Sequence, residues 1–369
     1  MGRFVIELAN KSDDADLQKI LHDNSVDGQI KIAFQRDPSY YYGLGIEGKF
    51  NQVIVVRDKT NKNIVGCGTR SIKPVYINGQ IRHIGYLNHL RIYKQYRKGM
   101  LVARGYQFLK ELHQDKKVCA YLTTLIEDNR YAFRILIGKR AGLPCYQDIG
   151  LYYSFAIGIP SRRKRFKSSC DIQRGSQSKI DDIVKFIHEN GSQKQFYPFY
   201  CKEDFVSDNG YLRDLSINNF YLALKNDKIV GLLAKWDQQN FKQVIIKGYN
   251  GKLYFSKPLY NLYAYFRGLP KLPQPNSQLN FFYVSLIAIQ QNEPEIFREL
   301  IQFLSNEFAD KGYLYFLIGL HSTDRLLKAM KYFSAIKYTS RLFLVFWEDG
   351  EDFSRNLDTR IPYLDIGTL

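Results

Sequence analysis

The sequence predicts a mixed α/β (α+β) fold made of two similar domains in tandem, each a largely antiparallel sheet flanked by helices. Two observations predict this. The 369-residue chain exceeds the size at which a single core tends to divide. It also repeats itself: IELANKSDDADLQKILHDNS, from Ile6 to Ser25, aligns without gaps on IQRGSQSKIDDIVKFIHENG, from Ile172 to Gly191, at an offset of 166 residues. Each copy reads as a strand, a polar turn and an amphipathic helix, with Ser or Asp near the helix start available as a cap. His22 and His188 fall at equivalent helix ends, where an imidazole can face the terminal carbonyls in a structural role.

The register persists downstream. NIVGCGTR (Asn63 to Arg70) matches KIVGLLAK (Lys228 to Lys235), each after a polar hairpin turn, DKTNKN or KNDK. YLTTLI (Tyr121 to Ile126) matches YLYFLI (Tyr313 to Ile318) at an offset of 192, so the second copy carries an insertion. It is assigned to 248–275, where proline and glycine break regular structure. Between these landmarks QIRHIGYLNHLRIY reads as a strand and MLVARGYQFLKELH as a helix with Leu101, Phe108, Leu109 and Leu112 on one face. KVCAYLTTLI is a buried strand, Asn129 to Ala141 a helix and GLYYSFAIGI a closing strand. The expected organisation is a domain at 1–160, a basic linker at 161–171 and a second domain at 172–369.

Composition narrows the function classes. Hydrophobic residues make up 45% of the chain, which excludes a disordered protein. The five cysteines are odd in number and form no CxxC pair, so neither a disulfide framework nor a metal site is expected, and a reducing cytoplasm is the expected setting. No stretch is apolar enough to span a membrane, the N-terminus lacks a signal-peptide layout, and Ile6 stands where myristoylation of Gly2 would require Ser or Thr. The net charge of +17 implies an acidic partner: a nucleotide cofactor, nucleic acid, an anionic lipid surface or an acidic substrate. The run Arg162, Arg163, Lys164, Arg165 and Lys167 reads as a solvated linker.

The order of elements, the IVG hairpin strand, the strand-loop-helix stretch LRIYKQYRKGMLVARGYQFL and the strand-helix stretch LTTLIEDNRYAFRIL together resemble the GNAT N-acetyltransferase superfamily. The resemblance covers nearly all of 1–160 and, more weakly, 170–369. Its second motif has a physical reading: a basic, glycine-bearing loop leads into a helix whose first N–H groups lack partners and can hold a pyrophosphate. Arg97 and Lys98 add positive charge, Gly99 permits close approach, and the helix opens at Met100 and Leu101. The family pattern is Gln or Arg, two residues, Gly, one residue, then Gly or Ala. Tyr96 and Leu101 depart from it, so either the loop is one residue shorter, with Arg97 leading, or it is locally distorted.

The resemblance implies acetyl-CoA as co-substrate and an amine acceptor, on a small molecule or a protein. It places the backbone groups that bond the acyl carbonyl and pantetheine near Leu90 and Ile92, and matches Asn129 to an Asn aimed at the cofactor arm. Acetyl transfer needs a base, an oxyanion partner and an acid for the leaving thiolate. The family's acid is a Tyr seven residues after that Asn, where this chain has Leu136; Tyr131 is the nearest substitute. For the base, alternation puts His83 and His89 on one strand face and Asn88 on the other, and His89 is preferred.

In the second copy Gly99 maps to Gln291, followed by Glu293, Pro294 and Glu295, which oppose phosphate binding, so this copy is expected to be degenerate. Two other readings stay open: a non-catalytic acyl-CoA-binding protein, and a Fem-like transferase using aminoacyl-tRNA. Nucleic acid suits the charge but is not favoured, because such enzymes do not need the retained loop. The aromatic-rich insertion is either a lid on its own sheet or a wall of the acceptor site.

Overall fold

The computed structural model describes residues 2–25, 30–97, 100–137, 142–160, 163, 165–207, 210–267 and 270–369. The first copy runs β1 (Phe4–Leu8), α1 (Asp14–Asp23), β2 (Ile30–Gln35), α2 (Tyr40–Leu44), β3 (Phe50–Asp58), β4 (Ile64–Ile77), β5 (Gln80–Ile92), α3 (Leu101–His113), β6 (Tyr121–Ile126), α4 (Arg130–Leu136) and β7 (Cys145–Gly158). The second runs β8 (Asp171–Arg174), α5 (Ile180–Gly191), α6 (Lys202–Val206), β9 (Phe220–Lys225), β10 (Lys228–Trp236), β11 (Gln243–Tyr249), α7 (Gly251–Arg267), β12 (Phe281–Ile289), α8 (Pro294–Glu307), β13 (Tyr315–His321), β14 (Ala335–Phe346) and α9 (Glu351–Arg355).

The repeat seen in the sequence is therefore a repeat of structure. In α1, Leu17, Ile20 and Leu21 are buried, and in α5 Ile180, Ile183, Phe186 and Ile187 are, the one-sided spacing of amphipathic helices. The hairpin turns fit their residues: Asn78-Gly79 between β4 and β5, and Asn226-Asp227 between β9 and β10, both hold positive φ at two positions, as tight two-residue turns require. His22 and His188 serve packing in another way than expected. The His188 ring stacks on Phe199 and reaches the carbonyl of Tyr200, while His22 Nε2 lies 2.8 Å from Lys247 Nζ.

Twelve strands form one sheet in the order β1-β3-β4-β5-β6-β14-β7-β13-β12-β10-β9-β8. The final strand of each copy has crossed to the other. β14 pairs antiparallel with β6 of the first copy, β7 pairs antiparallel with β13 of the second, and the two exchanged strands pair with each other. The cores follow the exchange: Phe155, Ala156 and Ile157 of β7 pack in the second copy's core, while Leu342 and Leu344 of β14 pack with Ile84, Tyr86 and Leu122 of the first. A second link is the two-stranded ribbon of β2 and β11, with Ile32 opposite Ile246. Of the basic linker, Arg162 and Lys164 lie outside the described residues, as do the last residues of the helix expected to reach Ala141.

The insertion departs from expectation. Residues 251–267 form a regular helix in spite of Pro258. The proline removes one N–H, whose partner would be the carbonyl of Tyr254, and Tyr254 is exposed, so water can replace the bond.

Because β14 completes the first copy, residues 1–160 alone leave the outer edge of β6 open. That fragment should elute as oligomer or aggregate in size-exclusion chromatography, and co-expression with 161–369 should restore a soluble one-to-one complex. A monomeric fragment with cooperative unfolding would show that β14 is dispensable.

Candidate active site

β5 and β6 run parallel but pair only at Gly85↔Tyr121 and Tyr86↔Leu122 before they part. Glycine is needed at 85 because a Cβ there would meet the Tyr121 ring at 2.0 Å. Beyond the split, β5 bulges. Thr69 pairs with Asn88 and Cys67 with Arg91, so His89 and Leu90 together oppose Gly68, and His89 takes a left-handed φ of 53°. The extra residue overrides the alternation expected from sequence: the Asn88 and His89 side chains converge on one carboxylate instead of facing apart.

That carboxylate is Glu47, wholly buried between α2 and β3. Its Oε2 accepts from Asn88 Nδ2 at 2.7 Å, and its Oε1 accepts from Arg36 Nη2 at 3.1 Å and lies 3.3 Å from His89 Nε2. The same Arg36 nitrogen is 3.0 Å from His89 Nε2, and Tyr40 Oη lies 2.8 Å from both His89 Nδ1 and Thr69 Oγ1. An arginine can only donate, so Nε2 accepts and the neutral imidazole carries its proton on Nδ1. Burial first, then the positive charges of Arg36, Arg91 and Lys242, hold the His89 pKa well below the ordinary histidine value. Desolvation raises the Glu47 pKa, against the pull of Arg36, Lys242, Asn88 and Lys73. Arg36 Nη1 and Asn88 Oδ1 are buried with no partner among the described residues.

The second copy supplies the back wall. Burial lowers the Lys242 ammonium strongly, and Lys242 Nζ donates to the Leu369 carbonyl. Lys73 Nζ donates to Thr368 Oγ1 at 3.0 Å, with its pKa lowered by burial to about 8.

The remaining candidates lie just beyond His89, at and after the C-terminal end of β5. Leu90 is exposed within the bulge, and Ile92 packs with Leu101 while its carbonyl accepts from Arg97 Nε at 3.0 Å. Tyr131 Oη donates to the Arg97 carbonyl at 3.1 Å, and the Arg97 guanidinium lies 5.5 Å from the Tyr131 ring. Met100 is exposed at the start of α3, whose first turn contains no acidic residue. Asn129 caps α4, its Oδ1 accepting from the Ala132 N–H at 3.1 Å. Lys98 and Gly99 lie outside the described residues. The structure thus brings Ile92, Arg97, Leu101 and Tyr131 together at the helix start, and it surrounds His89 with Arg36, Tyr40, Glu47 and Thr69 instead of with Tyr131. His83 is exposed on the outer half of β5, opposite Pro74.

The second copy has the same bulge. β12 parts from the regular pairing at Leu286, where φ is 50°, and there the N–H groups of Leu286 and Ile287 donate to Asp365 Oδ2 at 2.8 Å and to Tyr363 Oη at 3.1 Å. A bulge of this shape is an oxygen site, and here the segment carrying Asp365 fills it. Asp324 occupies the helix-start position of Asn129 and is tied to Lys194 at 3.0 Å and Asn292 at 2.8 Å. Gln291 and Asn292 both hold positive φ before the Glu293 cap and Pro294.

The fold that carries this site is similar overall to those of several solved structures. Saccharomyces cerevisiae N-myristoyltransferase with bound myristoyl-CoA superposes at a TM-score of 0.58 and 13% identity, over 94% of this chain and 83% of that one. The chain has the GNAT fold, built twice. A GCN5-related N-acetyltransferase from Sphaerobacter thermophilus matches at 0.53 and 10% identity over 100% of this chain and 99% of its own. A probable N-acyltransferase from Enterococcus faecalis V583 matches at 0.52 and 8% identity, over 94% and 73%. No protein-family model and no curated protein sequence matches the chain. Among the described residues of this tandem GNAT fold, no helix is long and apolar enough to cross a membrane and no cluster of three or more potential metal ligands occurs.

Glu47, Arg36 and Tyr40 were not legible as site residues, since they lie between the repeated motifs and nothing in their spacing marks them. Replacing Glu47 with Gln strands the buried Arg36 cation. The variant should lose about 3 kcal/mol of stability, measured by urea denaturation, and an unchanged midpoint would show that the pair is dispensable.

Proposed function

We propose that the chain is an acyl-CoA-dependent N-acyltransferase, with acetyl-CoA as donor, an amine of a small molecule or protein as acceptor, and the first copy as the catalytic one, acting in the cytoplasm. The bulge at His89 and Leu90, opened by the parting of β5 and β6, is the observation that carries this reading. Its support is threefold: the second copy demonstrates oxygen binding by such a bulge, α3 offers a helix start free of acidic side chains beside Arg97, and the structural neighbours are named as N-acyltransferases.

In this reading the N–H groups of the bulge hold the thioester carbonyl oxygen and stabilise its charge as the amine nitrogen attacks. His89 takes the amine proton at Nε2, directly or through a water. Arg36 must first give way at Nε2, and the Glu47 carboxylate 3.3 Å away then stabilises the imidazolium by its charge. Collapse forms the amide and releases the CoA thiolate, which takes up a proton from solvent, while His89 returns the amine proton to solvent. Tyr131 holds the phosphate loop through the Arg97 carbonyl, a positioning role in place of the acid role its sequence position suggested. Phosphate binding by Arg97, Lys98, Gly99, Met100 and Leu101, and contact of Asn129 with the cofactor arm, complete the assignment.

Three outcomes test this. His89→Ala should lower kcat about 100-fold with little change in acetyl-CoA affinity; wild-type turnover in this variant would remove His89 from the mechanism. Because the base is depressed, its deprotonated form persists to lower pH. The acid limb of kcat/KM should therefore fall below the ordinary histidine value of about 6.5, and a limb at or above it would contradict the assigned environment. Titration calorimetry should find one acyl-CoA site per chain, since the second bulge is already filled and Glu293 and Glu295 guard its helix; two sites of similar affinity would overturn the asymmetry.

A further inference from the structure

We propose that α7 is a docking helix that seats the protein on an anionic lipid surface. The helix is apolar on two opposite faces, and one of them is covered. The inner face carries Leu253, Tyr260 and the fully buried Ala264, packed with Ile246, Tyr249 and Leu272 and with Ile30 and Ile32 of the first copy. Two inner polar groups are pinned as well: Lys257 Nζ donates to the Pro273 carbonyl at 2.8 Å, and Asn261 Oδ1 accepts from the Leu272 N–H at 2.8 Å. The outer face carries Phe255, Leu259, Leu262 and Phe266, at spacings of four, three and four residues, and they are 82%, 71%, 55% and 76% exposed. Tyr254 and Tyr265 border this stripe and are exposed too.

Four large apolar side chains in one helical line facing water is an arrangement that soluble surfaces avoid unless something covers it. Charge identifies the cover. Residues 238–292 contain no Asp or Glu and six Lys or Arg, and Lys252 and Lys271 are exposed beside the stripe. Tyr and Phe with flanking lysines are the side chains that settle at the boundary between acyl chains and headgroups, and an anionic surface adds attraction for each cation. A second copy of this chain fits poorly. The helix is about 25 Å long, too short for one face to supply the roughly 800 Å² per partner of a stable dimer, and two chains of charge +17 repel. The inference stands on α7 itself and does not require the activity proposed above.

Co-sedimentation of the full chain with vesicles tests it, using phosphatidylcholine alone or with about one third phosphatidylserine. The wild type should bind the serine-containing vesicles about ten-fold better, and added salt should weaken binding. Phe255→Ser/Leu259→Ser/Phe266→Ser should abolish it at unchanged thermal stability. If that variant misfolds, Phe255→Trp serves instead: its fluorescence should shift to the blue on addition of vesicles. A wild type that stays in the supernatant, a triple variant that still sediments, an unshifted tryptophan, or a lipid-independent dimer dissolved by the triple variant would each overturn the proposal.

Discussion

Everything in this molecule depends on the exchange of two strands. β7 and β14 sit side by side at the centre of a sheet that neither copy can complete alone, so each copy's core is closed by the other's last strand. Once the copies are locked in this way, groups that begin far apart in sequence must share one interior. Glu47 and Arg36 from the first copy, Lys242 and the segment carrying Thr368 from the second, are buried against each other because the exchange leaves them nowhere else to go.

Burying so much charge is costly unless it is paired and hydrogen-bonded. Here Glu47 is the hub. It feels three cations and an amide donor, and its negative charge offsets the excess of lysine and arginine around it. His89 is the one member of the cluster set in a bulge where β5 stands free of β6, which makes it the link between a dry ionic interior and the cleft. Its neutral form is a consequence of that placement: solvation is withdrawn from the ring and a guanidinium faces its Nε2.

Much of the fold was legible because it is written locally and written twice. The strand-turn-helix repeat, the IVG hairpin strands, the amphipathic face of α3 and the closing strands all appear where patterns of two and 3.6 residues put them. What escaped was non-local or irregular. Alternation assumes an unbroken pleat, so it set Asn88 against His89, and one inserted residue at the bulge reversed the result. The exchange of β7 and β14 was hidden because either strand would complete either sheet, and the choice of partner leaves no mark in an apolar run. Pro258 concealed α7 because a breaker is read as an interruption, whereas at an exposed turn its missing donor costs little. Glu47 gave no signal at all, since its role comes from what converges on it.

The strand exchange also governs the order in which the molecule can come into being. A ribosome delivers the first copy complete in every element except its missing sheet neighbour, which is not made until Phe346 has emerged. At about 5–20 residues per second the interval between β7 and β14 is on the order of ten to forty seconds. For that time β6 presents an unpaired edge while β7 waits for a partner, β13, that does not yet exist. The nascent chain therefore carries a timed vulnerability in which pairing with a second ribosome's product competes with waiting. A duplicated fold with unexchanged strands would have no such interval.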